Sequence, residues 1–213
     1  MKIGVLGSGI VARTLAAGLL KHGHDVCLGT REPGKLADLQ SEQPALQVKS
    51  ISEAAAFGDV LVLAVKGTAA VAVLQAAGEA QLAGKVVLDA TNPIADLPPE
   101  GGVLRLFTDE GESLLERLQE AFPAARLVKA FSCVGSAFMV DPVFSGGRPT
   151  MFICGDDAEA KQSTQALLDQ LGWESADMGD ARGARAIEPL VMLWCLPGFL
   201  RGEWTHAFKL MKQ

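Results

Sequence analysis

The chain opens on Lys2-Ile3-Gly4-Val5-Leu6-Gly7-Ser8-Gly9-Ile10-Val11-Ala12, the stretch that decides its fold. A short apolar strand runs into two spaced glycines, and the pattern of an amphipathic helix follows. Here Gly7 permits a tight turn, Gly9 lets a pyrophosphate approach the backbone, and Ala12 lets the helix pack closely on the strand. The first turn of the helix offers unpaired N–H groups and a partial positive charge to phosphates. The stretch therefore predicts a dinucleotide site at Gly7–Val11.

The end of the second predicted strand indicates which dinucleotide binds. Its apolar alternation places Thr30 at the strand tip, followed by Arg31, with Lys35 one helical turn further on. Sites for NAD carry a carboxylate about 20 residues after the glycines. A hydroxyl, a guanidinium and a second cation instead suit a 2′-phosphate, so we predict that these three residues bind NADP. If the second strand ended one residue later than predicted, Glu32 would be the ribose-binding acid of an NAD site.

The composition is that of a globular protein, with 49% hydrophobic and 21% charged residues among 213. A net charge of −6 disfavours binding to nucleic acids and acidic membranes. The first predicted strand starts at Lys2, which leaves no room for a signal peptide, and no apolar run approaches the ~20 residues that span a bilayer. The four cysteines form no CxxC pair, and no metal-ligand spacing occurs. We expect a reduced cytoplasmic protein without a bound metal.

Strand and helix patterns alternate along the chain, which predicts a Rossmann-type, doubly wound α/β fold with a mostly parallel sheet. Residues 1–145 are predicted to form the NADP-binding domain, and residues 146–213 a small C-terminal part packed on it. That part contains strands and an apolar segment from about Ala181 to Lys212, which is predicted to be helical with an interruption near Pro197-Gly198. The predicted strands are 2–6, 24–29, 46–49, 59–65, 85–90, 126–130, 150–154 and 173–177, and the predicted helices before residue 181 are 10–22, 33–41, 51–57, 68–80, 112–121 and 157–171.

Ligands of such sheets bind beyond the carboxyl ends of the strands, so the strand-end loops form the candidate site. The fourth strand ends in Ala64, Val65 and Lys66, which are predicted to face the cofactor. The fifth is followed by Asn92 and Pro93, where the proline holds the asparagine extended toward a ligand. An Asn-Pro pair is also an ordinary turn former.

The loop after the sixth strand is rich in small residues, which leave room for a flat ring beside the nicotinamide. The predicted acceptor residues are Ser132, Cys133, Val134, Gly135 and Ser136. No catalytic residue is evident, except that Lys129 could protonate a small carbonyl or imine. A salt-bridged lysine is the alternative. A cysteine without an adjacent His or Arg is expected to be inert.

Two further patterns concern helix ends and helix faces. Ser50 with Glu53 and Asp156 with Glu159 have the spacing of capping boxes. Arg185 and Glu188 lie three residues apart on a predicted helix, so we expect them to pair with each other.

Six stretches together resemble the coenzyme F420-dependent NADP oxidoreductase family, and the resemblance covers nearly the whole chain. It implies a Rossmann-type domain, NADPH binding at the glycine turn and at the second strand, and often a homodimer. The same module is similar to the cytosolic domain of the six-transmembrane ferric and cupric reductases, which passes electrons from NADPH to a flavin. The stretches are residues 7–12, Gly29-Thr30-Arg31, Asp89-Ala90-Thr91-Asn92-Pro93, Lys129-Ala130-Phe131-Ser132, Ile153-Cys154-Gly155-Asp156-Asp157 and Ala184-Arg185-Ala186-Ile187-Glu188-Pro189-Leu190.

The resemblance leaves the electron acceptor open, because deazaflavin-using members carry a histidine where this chain has Ser132. We expect hydride transfer between NADP(H) and a deazaflavin (coenzyme F420) or flavin (FMN or FAD) ring. Two stacked rings need little from side chains, since orientation alone contributes ~7–11 kcal/mol. The alternatives are a reductase of a small carbonyl or imine, with Lys129 or Cys133 as proton donor, and a non-catalytic NADPH-binding sensor. The apolar run Leu190–Leu196 is expected to form a buried helix or a homodimer interface.

Overall fold

A computed structural model describes residues 1–211. Strands and helices alternate along this range. The eight strands of the described residues are β1 (Lys2–Leu6), β2 (Asp25–Thr30), β3 (Gln47–Ser50), β4 (Val60–Leu63), β5 (Val86–Asp89), β6 (Arg126–Lys129), β7 (Thr150–Ile153) and β8 (Glu174–Asp177). The nine α-helices of the same range are α1 (Ile10–Lys21), α2 (Ala37–Glu42), α3 (Ile51–Phe57), α4 (Ala70–Ala77), α5 (Glu79–Leu82), α6 (Leu114–Ala121), α7 (Ala158–Gln170), α8 (Ala184–Ile187) and α9 (Leu190–Arg201).

Six strands form one sheet in the order β3-β2-β1-β4-β5-β6, and every neighbouring pair is parallel. The strand order reverses between β1 and β4, so the carboxyl ends of these two strands flank a crevice. In open α/β sheets this crevice is the usual ligand site. The predicted doubly wound Rossmann-type fold is confirmed.

The last two strands, β7 and β8, form a separate parallel pair. The backbone N–H of Lys129 at the end of β6 donates to the carbonyl of Cys154, just after β7, at 2.9 Å. This contact is an antiparallel bridge between the main sheet and the strand pair. The C-terminal part therefore packs directly on the sheet edge formed by β6, while the boundary near residue 145 stays a prediction.

Two apolar layers cover the sheet, because alternate strand residues point to opposite faces. On one face Ile3 and Val5 pack with Leu15 of α1 and with Trp173. On the other face Leu61 and Leu63 pack with helices α3, α4 and α6. Central parallel strands are buried on both faces, as expected for a sheet of this kind.

All eight predicted strands are confirmed, with ends that differ by two residues at most. The capping box of Ser50 and Glu53 at the start of α3 is also confirmed. The second capping assignment is wrong by one residue. Asp157 caps α7 by accepting a hydrogen bond from the N–H of Ala160, while Asp156 accepts one from the N–H of Ala181.

The predicted interruption at Pro197-Gly198 is wrong, because α9 continues through both residues to Arg201, and Gly202 follows as its C-cap with φ 71°. Tertiary packing explains the continuity. The Trp204 ring lies against Gly198, where a Cβ would come within 2.3 Å of it. The following segment folds back, and the Trp194 indole N–H donates to the carbonyl of His206 at 3.0 Å. Residues 202–211 are not helical, so the helix predicted up to Lys212 is wrong over this range, and Lys212 lies outside the described residues.

The stretch Ala181–Arg201 is 21 residues long with a mean hydropathy of 1.2, which suffices for a membrane-crossing helix by length and composition only. A core helix passes the same test. This stretch holds Glu188 in a buried ion pair, and its Ala184 and Ile187 lie in the apolar core. These contacts anchor residues 184–188 in the core, while 39% of the apolar window as a whole is buried.

Candidate functional site

The turn between β1 and α1 has a backbone that only glycine accommodates at its first position. Gly7 has φ 139°, and a Cβ there would lie 2.2 Å from the carbonyl oxygen of Ala64. Its N–H donates to the carbonyl of Gly29 at 2.9 Å. The turn is therefore held between the ends of β2 and β4, at the reversal of the strand order.

Gly9 leaves the N-terminus of α1 open. It is the N-cap residue of the helix, no side chain caps that end, and a Cβ would meet nothing within 4 Å. The first-turn N–H groups have no partner within the helix. Together with the helix dipole, they form the donor set that a pyrophosphate requires. The local geometry thus fits a dinucleotide.

A cleft of about 540 Å³ begins at this turn and runs along the carboxyl ends of β2, β1 and β4. Its lining is apolar or neutral apart from two cations, Arg31 and Lys66, and it includes no Asp, Glu, His or Cys of the described residues. The lining residues are Gly7, Ser8, Gly9, Ile10, Val11, Gly29, Thr30, Arg31, Ile51, Ala64, Val65, Lys66, Ala69, Ala72, Val73, Ala76 and Ala90.

At the tip of β2 the structure brings Thr30 and Arg31 into the cleft and leaves Lys35 outside its lining. Arg31 is exposed, and within residues 1–211 it has no hydrogen-bond or ion-pair partner. The Nζ of Lys35 instead lies 2.8 Å from Oε2 of Glu32. Both members of this pair are exposed and neither lines the cleft. The free guanidinium is thus the cation best placed for a phosphate at this end.

Lys66, at the opposite rim, is held by a carboxylate. Its Nζ lies 2.8 Å from Oδ1 of Asp96, and the hydroxyl of Thr68 donates to Oδ2 at 3.4 Å. The hydrogen bond from Lys66 lowers the pKa of Asp96. The contact ties the loop after β5 to the cleft.

Asn92 and Pro93 follow β5 but do not line the cleft, whose nearest lining residue is Ala90. Pro93 is buried and Asn92 is half-buried. The Nδ2 of Asn92 donates to the carbonyl of Ser132 at 2.9 Å. This hydrogen bond joins the loops that follow β5 and β6.

The loop after β6, which is predicted to be the acceptor surface, is covered in this structure. Ser132, Cys133 and Val134 are buried, at 1%, 3% and 8% exposure, and Gly135 and Ser136 are half-buried. The Trp194 ring covers the loop, because a Cβ on Gly135 would lie 2.6 Å from it. None of the five residues lines the cleft. Burial also raises the pKa of the Cys133 thiol to about 12, as expected for an inert cysteine.

Lys129, the candidate proton donor, is enclosed by carboxylates in this structure, which favours the salt-bridged alternative. Its side chain is fully buried, with Nζ 2.6 Å from Oδ2 of Asp89 and 2.8 Å from Oε1 of Glu188. It also donates to the carbonyl of Thr91 at 3.0 Å. Burial lowers the pKa of Lys129, but the two carboxylates outweigh it, so that the net shift is upward. The group is a buried ion triad.

Glu188 has a second role at the start of α6. Its carboxylate accepts hydrogen bonds from the N–H groups of Leu114 and Leu115 at 2.8 and 3.0 Å. The expected pair of Arg185 with Glu188 is therefore wrong. Arg185 pairs with Glu116 at 2.6 Å, because the helix packs on α6 and offers a tertiary partner.

Comparison with known proteins agrees with the geometry of the cleft. A family model for coenzyme F420-dependent NADP oxidoreductases matches residues 2–93. A crystallised protein from Arthrobacter sp. FB24, assigned as an F420-dependent NADP reductase, is 35% identical, with a TM-score of 0.93 and 100% coverage of both chains.

Other relatives share part of their length with the chain. The metalloreductase STEAP3 of Rattus norvegicus is 34% identical over 204 residues, which are 93% of this chain and 39% of the relative. The chain thus spans about two fifths of that relative's length. An imine reductase from Streptomyces aurantiacus, at 17% identity, has the same fold with a TM-score of 0.69 over 94% of this chain and 63% of its own. The match to the Arthrobacter protein along both whole chains, together with the family model, shows that this chain belongs to the coenzyme F420-dependent NADP oxidoreductase family.

Proposed function

We propose that the protein transfers a hydride between NADP(H) and a flat ring acceptor, either a deazaflavin such as coenzyme F420 or a flavin. One observation carries the proposal. The same cleft contains the open N-terminus of α1 and the unpaired Arg31, and its lining includes no Asp, Glu, His or Cys of the described residues. Such a cleft suits a phosphate-rich dinucleotide and a reaction that needs no proton donor from a side chain.

The glycine turn holds the pyrophosphate in this proposal. Gly7 sets the turn, and Gly9 leaves the space that a side chain would fill. The backbone N–H groups of Ile10 and Val11 donate to the phosphate oxygens. When bound, NADPH would supply a hydride from C4 of its nicotinamide.

The adenosine end of the cofactor lies between β2 and α4. The guanidinium of Arg31 binds the 2′-phosphate as a bidentate donor, and the hydroxyl of Thr30 adds a hydrogen bond. The lining residues of α4 are small, Ala72 and Ala76, and leave room for the adenine ring. Ala64, Val65 and Lys66 border the cofactor on the β4 side. Lys35 forms an ion pair with Glu32 and does not contact the phosphate in this proposal.

A ring acceptor fits better than a small carbonyl or imine. Reduction of a carbonyl needs a proton donor, and both candidates, Lys129 and Cys133, are buried away from the cleft. Hydride transfer between stacked rings relies on orientation instead. The names of the Arthrobacter protein and of the metalloreductase both denote reductases, which supports a reductive electron transfer for this chain.

NADPH oxidation by the purified protein tests the proposal. Coenzyme F420, FMN and FAD are supplied in parallel, beside a small ketone and a cyclic imine. Turnover with a ring is the expected result. Turnover only with the ketone or imine would contradict the ring acceptor and identify a carbonyl or imine reductase. Tight NADPH binding without any oxidation would identify a sensor.

We also propose that two copies associate through α9 and that the protein acts in the cytoplasm. Leu193, Phe199 and Leu200 of α9 and the nearby Trp204 are exposed, at 39–56%. Clustered exposed apolar side chains mark interaction surfaces, and a second copy offers the matching apolar face. Free thiols at Cys27, Cys133, Cys154 and Cys195 fit a reducing compartment.

A further inference from the structure

Two side-chain oxygens at the carboxyl ends of β5 and β6 are buried without a hydrogen-bond partner. They are Oδ1 of Asn92 and Oγ of Ser132, each with less than 1 Å² exposed. Because Nδ2 of Asn92 donates to the carbonyl of Ser132, the orientation of the amide is fixed and Oδ1 is the atom left over. Buried polar atoms are nearly always paired, since an unpaired one is costly. Two such atoms in a pair of residues linked by a hydrogen bond point to a ligand that would pair with them.

The backbone beside these atoms is also unfavourable. Phe131 has φ 59°, a region that bulky residues rarely adopt. Its N–H donates to the sulfur of Met151 at 3.0 Å, and a thioether is a weak acceptor. Strained backbone of this kind persists mainly at ligand sites. The strained residue Phe131 begins the loop in which Ser132 is buried.

The location matches the far end of an extended dinucleotide. With the pyrophosphate at the glycine turn and the adenosine at Arg31, the other half of the cofactor runs over β4 toward β5. The lining of the cleft ends at Ala90, two residues before Asn92. A nicotinamide bound at that end would therefore lie beside the two unpaired oxygens.

We propose that Asn92 and Ser132 bind the carboxamide of the nicotinamide, an inference that rests on the proposed NADP(H) function. A carboxamide carries an NH₂ donor and a carbonyl acceptor. The Oδ1 of Asn92 accepts from the NH₂, and the hydroxyl of Ser132 donates to the carbonyl. Both contacts form when the loop after β6 shifts to admit the ring. In this proposal Ser132 binds the cofactor and not the electron acceptor.

Calorimetric binding of three ligands tests this assignment. The first is NADP⁺, and the second is its 3-acetylpyridine analogue, in which a methyl group replaces the NH₂. The third is 2′-phospho-ADP-ribose, which lacks the nicotinamide. We expect the wild-type protein to bind NADP⁺ about 2- to 10-fold more tightly than the analogue, the range for one hydrogen bond.

The variants separate the two contacts. Asn92→Ala should bring NADP⁺ and the analogue to equal affinity, because the acceptor for the NH₂ is gone. Ser132→Ala should weaken both ligands about 2- to 10-fold, because both keep the carbonyl. Neither variant should change the affinity for 2′-phospho-ADP-ribose, which also reports that each variant is folded.

Thr164→Val is the matched control, because it removes another unpaired buried hydroxyl, in α7. It should leave all three affinities unchanged. Equal wild-type affinity for NADP⁺ and the analogue would overturn the assignment, as would an unchanged preference in Asn92→Ala. Failure of the wild-type protein to bind 2′-phospho-ADP-ribose would instead overturn the proposed NADP(H) function itself.

Discussion

The Nζ of Lys129 lies 2.6 Å from Oδ2 of Asp89, and both side chains are fully buried. Strands β5 and β6 bring these residues side by side, and Glu188 places a second carboxylate 2.8 Å from the same nitrogen. Lys129 also donates to the carbonyl of Thr91, the residue before Asn92. The triad therefore connects the C-terminal helices to the loop that borders the cofactor cleft.

Replacing Lys129 by methionine should destabilise the fold strongly. Lys129→Met leaves Asp89 and Glu188 buried without their cation, and breaking a buried pair in this way costs about 3–5 kcal/mol. The free energy of unfolding in urea measures the loss. Lys66→Met is the control, because it breaks an exposed ion pair and should leave the unfolding midpoint unchanged. Similar midpoints for the two variants would contradict the structural role of the triad.

The two glycines of the first turn should separate folding from binding. Gly7→Ala places a Cβ 2.2 Å from the carbonyl of Ala64 at φ 139°, so it should lower stability. Gly9→Ala meets no protein atom within 4 Å and should fold normally. Its Cβ occupies the phosphate cradle, so NADPH binding should weaken about tenfold or more, which is ~1.4 kcal/mol. Unfolding and calorimetry measure the two effects, and wild-type affinity in Gly9→Ala would refute the cradle.

Arg31 should discriminate between the two nicotinamide cofactors. Arg31→Ala removes hydrogen bonds to a charged group and should cost about 1.5–3 kcal/mol of NADPH binding, while NADH binding changes little. Lys35→Ala serves as the matched control, since Lys35 pairs with Glu32 outside the cleft. Fluorescence titration with both cofactors measures the difference. An equal loss for NADH and NADPH would rule out recognition of the 2′-phosphate by Arg31.

Glu116 should contribute to acid sensitivity. The hydrogen bond from Arg185 lowers the pKa of Glu116 below its ordinary value of 4.5. Because the unfolded chain then binds more protons, the stabilisation is present above about pH 4.5 and is lost as the pH falls through the lower, folded-state pKa. Glu116→Gln should flatten the dependence of the unfolding free energy on pH below that value.

Urea unfolding between neutral pH and pH 3 measures this dependence. Glu120→Gln, at an exposed position of the same helix, is the control and should keep the wild-type slope. A Glu116→Gln slope equal to that of the wild-type protein would show that the pair with Arg185 does not govern acid stability.

Association of two copies should depend on the exposed face of α9. Leu193 is 56% exposed, so Leu193→Glu should leave the fold intact and place a charge in an apolar interface. We expect sedimentation to report twice the chain mass for the wild-type protein and a shift to the single-chain mass for the variant. A wild-type protein that sediments as a single chain would exclude the proposed dimer.

Local sequence patterns predicted the strands and the glycine turn, because those features depend on a few neighbouring residues. The strand β1, the turn at Gly7 and the tip at Thr30-Arg31 all follow from alternation and from the backbone freedom of glycine. The environment of Lys129 depends instead on the register of β5 and β6 and on a helix about 60 residues later in the chain. A signal was present nonetheless, since Asp89 and Lys129 each end an apolar strand.

The burial of the loop at Ser132–Ser136 could not be predicted from its small residues. Its exposure depends on Trp194, which covers Gly135, and on the segment after Gly202 that folds back over α9. That segment was predicted to be helical, so its return path was not foreseen. Long-range packing decides both features, and periodicity reports only local structure.

Anaerobic single-turnover kinetics with coenzyme F420, FMN and FAD test the central claim, direct hydride transfer from NADPH to a ring, most directly. Loss of NADPH absorbance and reduction of the ring are followed at the same time, with NADPH deuterated at C4 as a second substrate. We expect the two signals to change at one rate with at least one ring, and that rate to fall with deuterium. NADPH oxidation that is not matched by ring reduction, or no oxidation with any of the three rings, would contradict the claim.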